Sequence, residues 1–423
     1  MPHLRVLLGY QQGQVYSLDA RPTVIGRDPA SEITLDSESP ASRRHAEILC
    51  EDGEWILRDL GSRNGTHVNG IRVERSPLNH LDEVLLGDSL FIFEYNDRLT
   101  SETVAAASRA MPRSPLGLQN VPAIQELVKS VGNTFAHCPA LVREIMTAIV
   151  AGGHVLLPRL ADSAASAILT TIRRISELGT GSLRFHHSLA LDELVKGNVG
   201  AAHAQVDASL FTNVFLAEDI DKASGDVQAA IVDAMKERPA RGISQKWILP
   251  SPFCILATSE TTASKDSRPL SPAILDHFMF SVNADSNDAV QAANWVPDCA
   301  LSTTQIADLM GAVRDTSLDE NLVNYAAQIA CATRPTHRSA PSFVKRYVTS
   351  GAGSNAAYSL LIGAKARAVI SGRMIANSDD ILGVVPAVLR HRIALKSEAA
   401  DEAVDVERIV RKLSALDPWE AGT

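Results

Sequence analysis

Closely spaced turn signals between short apolar runs constrain the fold of residues 1–97 more than any other feature of the chain. One Asp-Gly pair starts at Asp52, and Asn-Gly pairs start at Asn64 and Asn69. The short apolar runs lie at residues 6–8, 48–50, 55–57 and 90–93. Such pairs favour tight hairpin turns, and short apolar runs bounded by turns are typical of strands. Residues 1–97 are therefore predicted to form an antiparallel β-sandwich.

The loops between these strands carry arginines beside small and polar residues. Arg27 follows a glycine, Arg43 follows Ser42, and Arg63 precedes Asn64. A guanidinium presents several donors in a planar fork, which suits a doubly charged phosphate. A solvated charge run beside ordinary hairpin turns would also contain arginines. The ordered motifs over residues 26–70 favour phosphate binding over that alternative.

The order Gly-Arg, Ser-x-x-His, Asn-Gly-x-x-x-Asn-Gly resembles the forkhead-associated (FHA) family of phosphothreonine-peptide-binding domains. The resemblance implies an FHA-type sandwich with a phosphopeptide site on its loops. The residues that match the peptide-contacting positions are Arg27, Ser42, Arg43, Arg63 and Asn64. The residues that match the framework of the binding loops are Gly26, His45, Gly65 and Asn69. Strand alternation would direct Arg44 away from Arg43, so Arg44 is assigned to a solvated face.

Length and charge limit the classes of protein that remain. The chain has 423 residues, of which 45% are hydrophobic, so two or three domains are expected. A formal net charge of -9 argues against a duplex nucleic-acid surface and favours protein partners. No signal-peptide core and no long apolar window is evident, which predicts a cytoplasmic protein without a membrane span.

The cysteines and histidines show no metal or redox spacing. The five cysteines are Cys50, Cys138, Cys254, Cys299 and Cys331. Their number is odd and they are scattered, so they are predicted to be reduced core residues. No metal site is predicted.

After residue 97 the pattern changes. Residues 98–120 are rich in alanine, serine and proline and are predicted to be a linker. Residues 121–285 alternate strand and helix patterns, which predicts a parallel sheet between helices. The predicted strands lie at 154–157, 213–217 and 253–257, and the predicted helices at 163–178 and 226–237. Residues 286–423 are predicted to be almost entirely helical, with segments near 303–314, 320–331, 354–372 and 378–394.

Residues 121–423 resemble the MoxR family of AAA+ ATPases. The matching segments are residues 214–223, 228–238, 252–258, 275–278, 351–373 and 388–392. The resemblance implies a multidomain chain with an α/β AAA+ core over 121–285 and an all-α lid over 286–423. It also implies relatives that assemble as hexameric chaperone ATPases and act on partners carrying von Willebrand A domains.

The active positions of that family are altered here. In residues 158–166, Arg159 and Asp162 stand where the family's phosphate loop has glycines, and Ala165 stands where it has lysine. Only Ser166 keeps a hydroxyl for magnesium. Asp162 would face the phosphates with like charge, which costs about 4 kcal/mol per pair at ~4 Å and an effective dielectric of ~20. Tight binding of ATP is therefore not expected.

Further departures concern the residues that act on the attacking water and the transition state. Glu218-Asp219 reverses the family's Asp-Glu order, which displaces both carboxylates. Glu260 stands where the family has a polar amide, His277 replaces the finger arginine, and Asn355 replaces the lid's sensor arginine. These positions are read as vestigial, so neither a catalytic residue nor a cofactor is expected.

The resulting functional hypothesis is an adaptor rather than an enzyme. It binds a phosphothreonine-containing protein, such as a Ser/Thr kinase substrate, and recruits it to, or itself joins, a ring of active MoxR-like ATPases. The alternative is a working MoxR-type chaperone ATPase, using ATP and magnesium, that is regulated by the FHA domain. Arg159 would then neutralise phosphate charge.

Overall fold

The computed structural model describes two compact units, Met1–Ile124 and Gln125–Thr423. The described residues are 2–8, 11, 13–19, 21–35, 41–51, 53–68, 71–78, 82–87, 89–95, 121–189, 194, 210–236, 249–259, 270–297, 300–316, 318 and 320–415. The predicted linker over 98–120 lies outside them.

The N-terminal unit consists of two β-sheets. Its strands are β1 (Pro2–Leu8), β2 (Val15–Ser17), β3 (Thr23–Gly26), β4 (Ile33–Thr34), β5 (Ala46–Glu51), β6 (Glu54–Asp59), β7 (Thr66–Val68), β8 (Ile71–Val73), β9 (Arg75–Pro77), β10 (Asp82–Leu86) and β11 (Ser89–Tyr95). One sheet has the order β2-β1-β11-β10-β7-β8, and the other has the order β4-β3-β5-β6-β9. The predicted sandwich is confirmed, with the short β3–β4 pair parallel and the other pairs antiparallel.

Apolar side chains from both sheets form one core. Leu4 and Phe91 from the first sheet join Ile25 and Ile48 from the second, and all four are 0% exposed. Alternate residues of a strand point to opposite faces, so each sheet directs one set of side chains inward. The turns at the strand ends remain at the surface, where they form the loops described below.

The first part of the C-terminal unit contains a parallel sheet. Its strands are β12 (Val155–Pro158), β13 (Thr180–Arg184), β14 (Val214–Glu218), β15 (Cys254–Ser259) and β16 (Phe280–Ser281), in the order β13-β14-β15-β12-β16. The accompanying helices are α1 (Val121–Phe135), α2 (Ala140–Ala151), α3 (Asp162–Ile175), α4 (Gly225–Lys236), α5 (Pro272–Leu275) and α6 (Ser286–Asn294). The three predicted strands are present. The edge strand β13 was not predicted.

The remainder of this unit is mainly helical. Its helices are α7 (Thr303–Asp315), α8 (Glu320–Ala332), α9 (Ser342–Tyr347), α10 (Ser354–Ile370), α11 (Ser378–Leu389), α12 (Ser397–Asp401) and α13 (Val406–Ser414). A small antiparallel sheet of β17 (Val348–Ser350) and β18 (Ala394–Leu395) is added to them. The helix predicted to run to residue 394 therefore ends at Leu389, because the chain turns back to pair with β17.

Two sequence expectations concern features other than secondary structure. Within the described part of the chain, no helix has the length and apolar character needed to cross a membrane. Cys138, Cys254 and Cys331 are free and buried, and Cys50 is free and half-buried. Cys299 lies outside the described residues.

Candidate functional site

Three loops of the N-terminal unit are joined into one surface by His45, which is 0% exposed. The His45 backbone N–H donates to Ile25 O (2.9 Å), and its carbonyl accepts from Leu60 N (2.9 Å). The imidazole Nδ1 accepts from Ser42 N (3.1 Å), so Nε2 carries the proton and donates to Gly65 O (3.1 Å). Burial lowers the pKa of His45, which keeps the ring in this neutral form.

Ser42 and Arg63 meet at the centre of this surface. The Ser42 hydroxyl oxygen accepts a hydrogen bond from the Arg63 backbone N–H (3.0 Å). Its own proton is therefore available for a further acceptor. On the other side, the Ser42 carbonyl accepts from Arg27 N (3.1 Å), and Arg27 Nε donates to Ala41 O. The backbone thus places Arg27, Ser42 and Arg63 next to one another.

Two glycines permit this close approach. A Cβ added to Gly26 would lie 2.0 Å from the carbonyl oxygen of Arg43, a distance that the backbone cannot accommodate without moving. Gly65 has φ 80°, in the left-handed region that favours glycine. Both residues were predicted to be framework residues, and here they lie against the loops that carry the arginines.

Asp59 organises the loop after β6 and was missed in the sequence analysis. Its carboxylate accepts from the backbone N–H groups of Gly61 (3.0 Å) and Ser62 (2.9 Å) and from the hydroxyl of Thr66 (2.7 Å). Burial would raise the pKa of Asp59, but the hydrogen bonds from Ser62 and Thr66 hold it below its usual value. A carboxylate at a strand end just before a Gly-Ser turn could have signalled this role.

The arginines of these loops differ in exposure. Arg27 is half-buried, whereas Arg43, Arg44 and Arg63 are exposed. Arg44 is exposed, as expected for a solvated position, and it lies in the loop before β5 rather than on a strand. Asn64 is half-buried beside Arg63. The predicted framework residue Asn69 lies outside the described residues.

In the C-terminal unit, the loop after β12 occupies the position of a phosphate loop. Arg159 has φ 59°, a conformation normally left to glycine, and its N–H donates to Ser259 O (2.8 Å). The helix α3 starts directly afterwards, with Asp162 in its first turn. Ala165, where a lysine is expected, is 1% exposed, and Ser166 is exposed. The loop thus has a left-handed turn at Arg159, and the position predicted to correspond to the lysine is a buried alanine.

Arg184, at the end of the edge strand β13, bridges the two acidic parts of this site. Its NH2 group lies 2.6 Å from Asp162 Oδ2 and 2.8 Å from Glu218 Oε2. Hydrogen bonding to Glu218 is the main reason that the pKa of Arg184 is raised, followed by the bond to Asp162. The carboxylates of Asp162 and Glu218 are therefore already paired with a cation of the chain itself. Sequence analysis did not identify Arg184.

The acidic pair Glu218-Asp219, which was predicted to be vestigial, lies at the end of β14, next to the end of β15. The Asp219 backbone N–H donates to the Thr258 hydroxyl (2.9 Å), and its carboxylate contacts Lys222 Nζ (3.2 Å). Asp219 adopts φ 59° as the chain leaves the strand. Glu218 is 9% exposed and directed to Arg184. The neighbouring position Glu260 lies outside the described residues.

The segment that contains His277 is tied to the helical part of the same unit. Asp276 accepts from Asn355 Nδ2 (2.6 Å) and from Arg392 Nε (2.8 Å). The buried Arg392 also donates to the carbonyl oxygens of Phe278 (2.8 Å) and Val388 (2.6 Å). His277 and Asn355, both predicted vestigial positions, thus lie near one another. In the described residues there is no cluster of His, Cys, Asp and Glu suited to a metal ion.

Comparison with known proteins agrees with this architecture. The family model of the FHA domain matches residues 23–87. The model of the ATPase family associated with various cellular activities (AAA) matches residues 160–280, and that of the AAA lid domain matches residues 341–413. The N-terminal unit therefore contains an FHA domain, and the C-terminal unit contains an AAA module with its lid.

Relatives identify the kind of AAA module. The chain is 24% identical over 325 residues to the chaperone MoxR1 of Mycobacterium tuberculosis, covering 74% of this chain and 86% of that protein. A crystal structure of a proposed ATPase from Cytophaga hutchinsonii has the same fold, with a TM-score of 0.58 and 22% identity, over 74% of this chain and 98% of that one. The AAA module is thus MoxR-like.

A different set of relatives matches the FHA domain. The glycogen accumulation regulator GarA of Mycolicibacterium smegmatis is 42% identical over 90 residues, which are 21% of this chain and 56% of that protein. The oxoglutarate dehydrogenase inhibitor of Corynebacterium diphtheriae is 40% identical over 90 residues, 21% of this chain and 62% of that protein. In each case the similarity covers only one domain of this chain.

Proposed function

We propose that this chain is a phosphothreonine-binding adaptor whose MoxR-like module works without hydrolysing ATP. The observation that carries the proposal is the arrangement around Ser42. Its hydroxyl accepts from Arg63 N (3.0 Å) and keeps a proton to donate, while Arg27 and Arg43 are adjacent on the same loops. A hydroxyl donor beside two guanidinium groups supplies charge-assisted hydrogen bonds for the oxygens of a phosphate.

The loop framework makes this site suitable for an extended peptide. The network around His45 fixes the loops before a ligand arrives, so little ordering is left to occur on binding. Arg63 and Asn64 lie at the next loop, where they can contact the peptide backbone. A partner phosphorylated on threonine would be captured through these groups, and its phosphorylation by a Ser/Thr kinase would control recruitment.

The names of the FHA relatives support a regulatory rather than a catalytic role. One is called a glycogen accumulation regulator and the other an oxoglutarate dehydrogenase inhibitor. Each of these proteins is named for its effect on a process or on another enzyme. By analogy, the FHA domain would bring a phosphorylated protein to the AAA module, or to a ring of active MoxR-like subunits and its von Willebrand A partners, and we propose that it does so in the cytoplasm.

The absence of catalysis is supported by charge at the AAA site. Arg184 pairs with Asp162 and Glu218, so a magnesium ion would have to displace a cation that is already bound. Ala165 supplies no ammonium for the phosphates, and Asp162 repels them. The reversed Glu218-Asp219 pair, His277 and Asn355 complete a site without the groups that hydrolysis needs, and no nucleotide is expected there.

Two observations favour the alternative, a working chaperone ATPase. Arg159 has the left-handed conformation of a phosphate-loop glycine, and Asp219 and Thr258 meet at the strand ends as an active site would require. Arg159 would then have to supply the charge that Ala165 lacks. Nucleotide titration separates the two proposals.

Peptide binding by the full-length chain tests the adaptor proposal. We expect saturable binding of a phosphothreonine peptide and no saturable binding of the same peptide with unmodified threonine, because the site is built for an anion. Fluorescence anisotropy with labelled peptides measures both. Equal affinity for the two peptides would refute phosphothreonine recognition.

A further inference from the structure

A buried arginine of the lid, Arg392, is hydrogen-bonded to the AAA core. Its side chain is 3% exposed. Nε donates to Asp276 Oδ1 (2.8 Å), and one Nη group donates to Phe278 O (2.8 Å). The other Nη group donates to Met279 O (3.2 Å) in the core and to Val388 O (2.6 Å) in the lid. All three nitrogens of the guanidinium therefore have acceptors, and a carboxylate of the core balances its charge.

The two residues before Arg392 contact the core in the same way. His391 Nε2 donates to Phe278 O (2.9 Å), and Arg390 Nη1 donates to Ser281 O (2.7 Å). Three consecutive lid residues therefore donate to carbonyl oxygens of the core. Those oxygens belong to the segment that leads from α5 into β16.

The lid helix α10 contacts the same core segment. Asn355 Nδ2 donates to Asp276 Oδ2 (2.6 Å), so the two oxygens of this carboxylate accept from two lid residues, Asn355 and Arg392. A Cβ added to Gly363 would lie 3.1 Å from the ring of Phe280, which is tighter than an ordinary contact. The glycine therefore lets α10 lie close against β16.

Moving the lid away from the core would be costly at this contact. Arg392 would lose the carboxylate that balances its charge, and a buried charge that loses its partner is strongly destabilising. An exposed ion pair is given up at much lower cost. Arg346 and Glu402 form such a pair within the lid, with side chains that are 63% and 43% exposed. The contact at Arg392 is therefore suited to hold a fixed arrangement rather than to act as a hinge.

We infer that residues 390–392 form a latch that fixes the lid on the AAA core, so that the two keep one arrangement with or without Mg-ATP. The core segment that the latch holds, residues 276–281, includes His277, whose position is thereby fixed relative to the lid. Such a module presents the same surface to its partners at all times, which suits an adaptor. The inference goes beyond the proposed function and does not depend on phosphothreonine binding.

Hydrogen exchange of the full-length chain, followed by mass spectrometry, tests the latch. The amides of Met279 and Phe280 donate to His154 O (2.9 and 3.3 Å), so their exchange reports on the core segment. Residues 354–362, in the first half of α10, report on the lid. We expect Arg392→Gln to speed exchange in both segments about 100-fold, because it breaks a buried ion pair. Helix α3 should keep its wild-type rates, which distinguishes release of the latch from general unfolding.

A milder variant keeps the test decisive if Arg392→Gln does not fold. Asn355→Ala removes one hydrogen bond to the Asp276 carboxylate and should speed exchange in the same two segments about tenfold. Arg346→Gln is the matched control, since it removes an exposed arginine whose ion pair lies within the lid. It should leave exchange in both segments unchanged.

Three results would overturn the inference. The first is wild-type exchange in both Asn355→Ala and Arg392→Gln, and the second is faster exchange confined to one of the two segments. The third is a change in the wild-type rates of these segments when millimolar Mg-ATP is added. Failure of the proposed function is distinguishable, because hydrolysis of ATP without such a change would refute that function and leave the latch standing.

Discussion

Replacing Arg27 with alanine is expected to weaken binding of a phosphothreonine peptide by about 100-fold. Hydrogen bonds to charged groups contribute about 1.5–3 kcal/mol each, and the guanidinium fork can make two of them. Arg27 is half-buried, and its Nε–H donates to Ala41 O, which fixes the plane of the fork beside Ser42. Fluorescence anisotropy with a labelled phosphopeptide and the full-length chain measures the loss.

A second variant separates charge from geometry at position 27, and a third variant elsewhere in the domain serves as a control. Arg27→Lys keeps the charge but not the planar fork, so we expect a loss of about tenfold, between wild type and Arg27→Ala. Arg75→Ala removes an exposed arginine that pairs with Glu51 on a strand, and it should bind like wild type. Wild-type affinity in Arg27→Ala would contradict the assigned site.

The second large effect is expected for His45→Ala, which should destabilise the N-terminal unit by about 2–4 kcal/mol. The variant leaves the Ser42 N–H and the Gly65 carbonyl without their imidazole partners and creates a cavity at a residue that is 0% exposed. Hydrogen exchange of residues 41–68 in the full-length chain measures the effect, because loss of the network should speed exchange there. Peptide affinity should fall with it.

His3→Ala is the matched control, since His3 is a half-buried histidine on β1 outside this network. It should leave hydrogen exchange over residues 41–68 unchanged. The same slow exchange in His45→Ala as in wild type would mean that the imidazole does not hold the loops.

Because the pKa of His45 is lowered, the stability of the N-terminal unit should fall at acidic pH. Burial keeps the folded side chain neutral, whereas an unfolded histidine takes up a proton near its ordinary value of 6.5. Below that pH the unfolded state binds more protons, so the stability of the N-terminal unit falls as pH decreases toward the lowered folded pKa. Above pH 6.5 the histidine is neutral in both the folded and the unfolded state, so the full stability of the unit is retained. This pH dependence of stability should be absent in His45→Ala.

Much of the FHA domain could be predicted because its signals are local. Turn pairs such as Asn64-Gly65 and short apolar runs determine strand ends within a few residues of one another. The interaction of Asp59 with Thr66 was not anticipated, because the sequence does not show which way a loop folds back. The position of Arg44 in the loop before β5 was not anticipated, because the start of β5 at Ala46 was not apparent from the sequence.

The AAA module shows more clearly which features cannot be predicted from local sequence patterns. The strands β12, β14 and β15 are continuous apolar runs, as buried parallel strands are, and they were predicted. The edge strand β13 contains Gly181 and Ser182 and lacks that pattern. Its last residue, Arg184, meets Glu218 at a separation of 34 residues in the chain. That contact depends on strand order, which local patterns do not specify.

We propose that the chain binds a phosphorylated partner and does not turn over ATP. Calorimetric titration of the full-length chain with Mg-ATP, together with phosphate release, tests it most directly. The same sample must bind a phosphothreonine peptide, which shows that the protein is folded and competent. We expect no micromolar nucleotide binding and no phosphate release above that of Glu218→Gln. Micromolar binding with phosphate release that disappears in Glu218→Gln would contradict it.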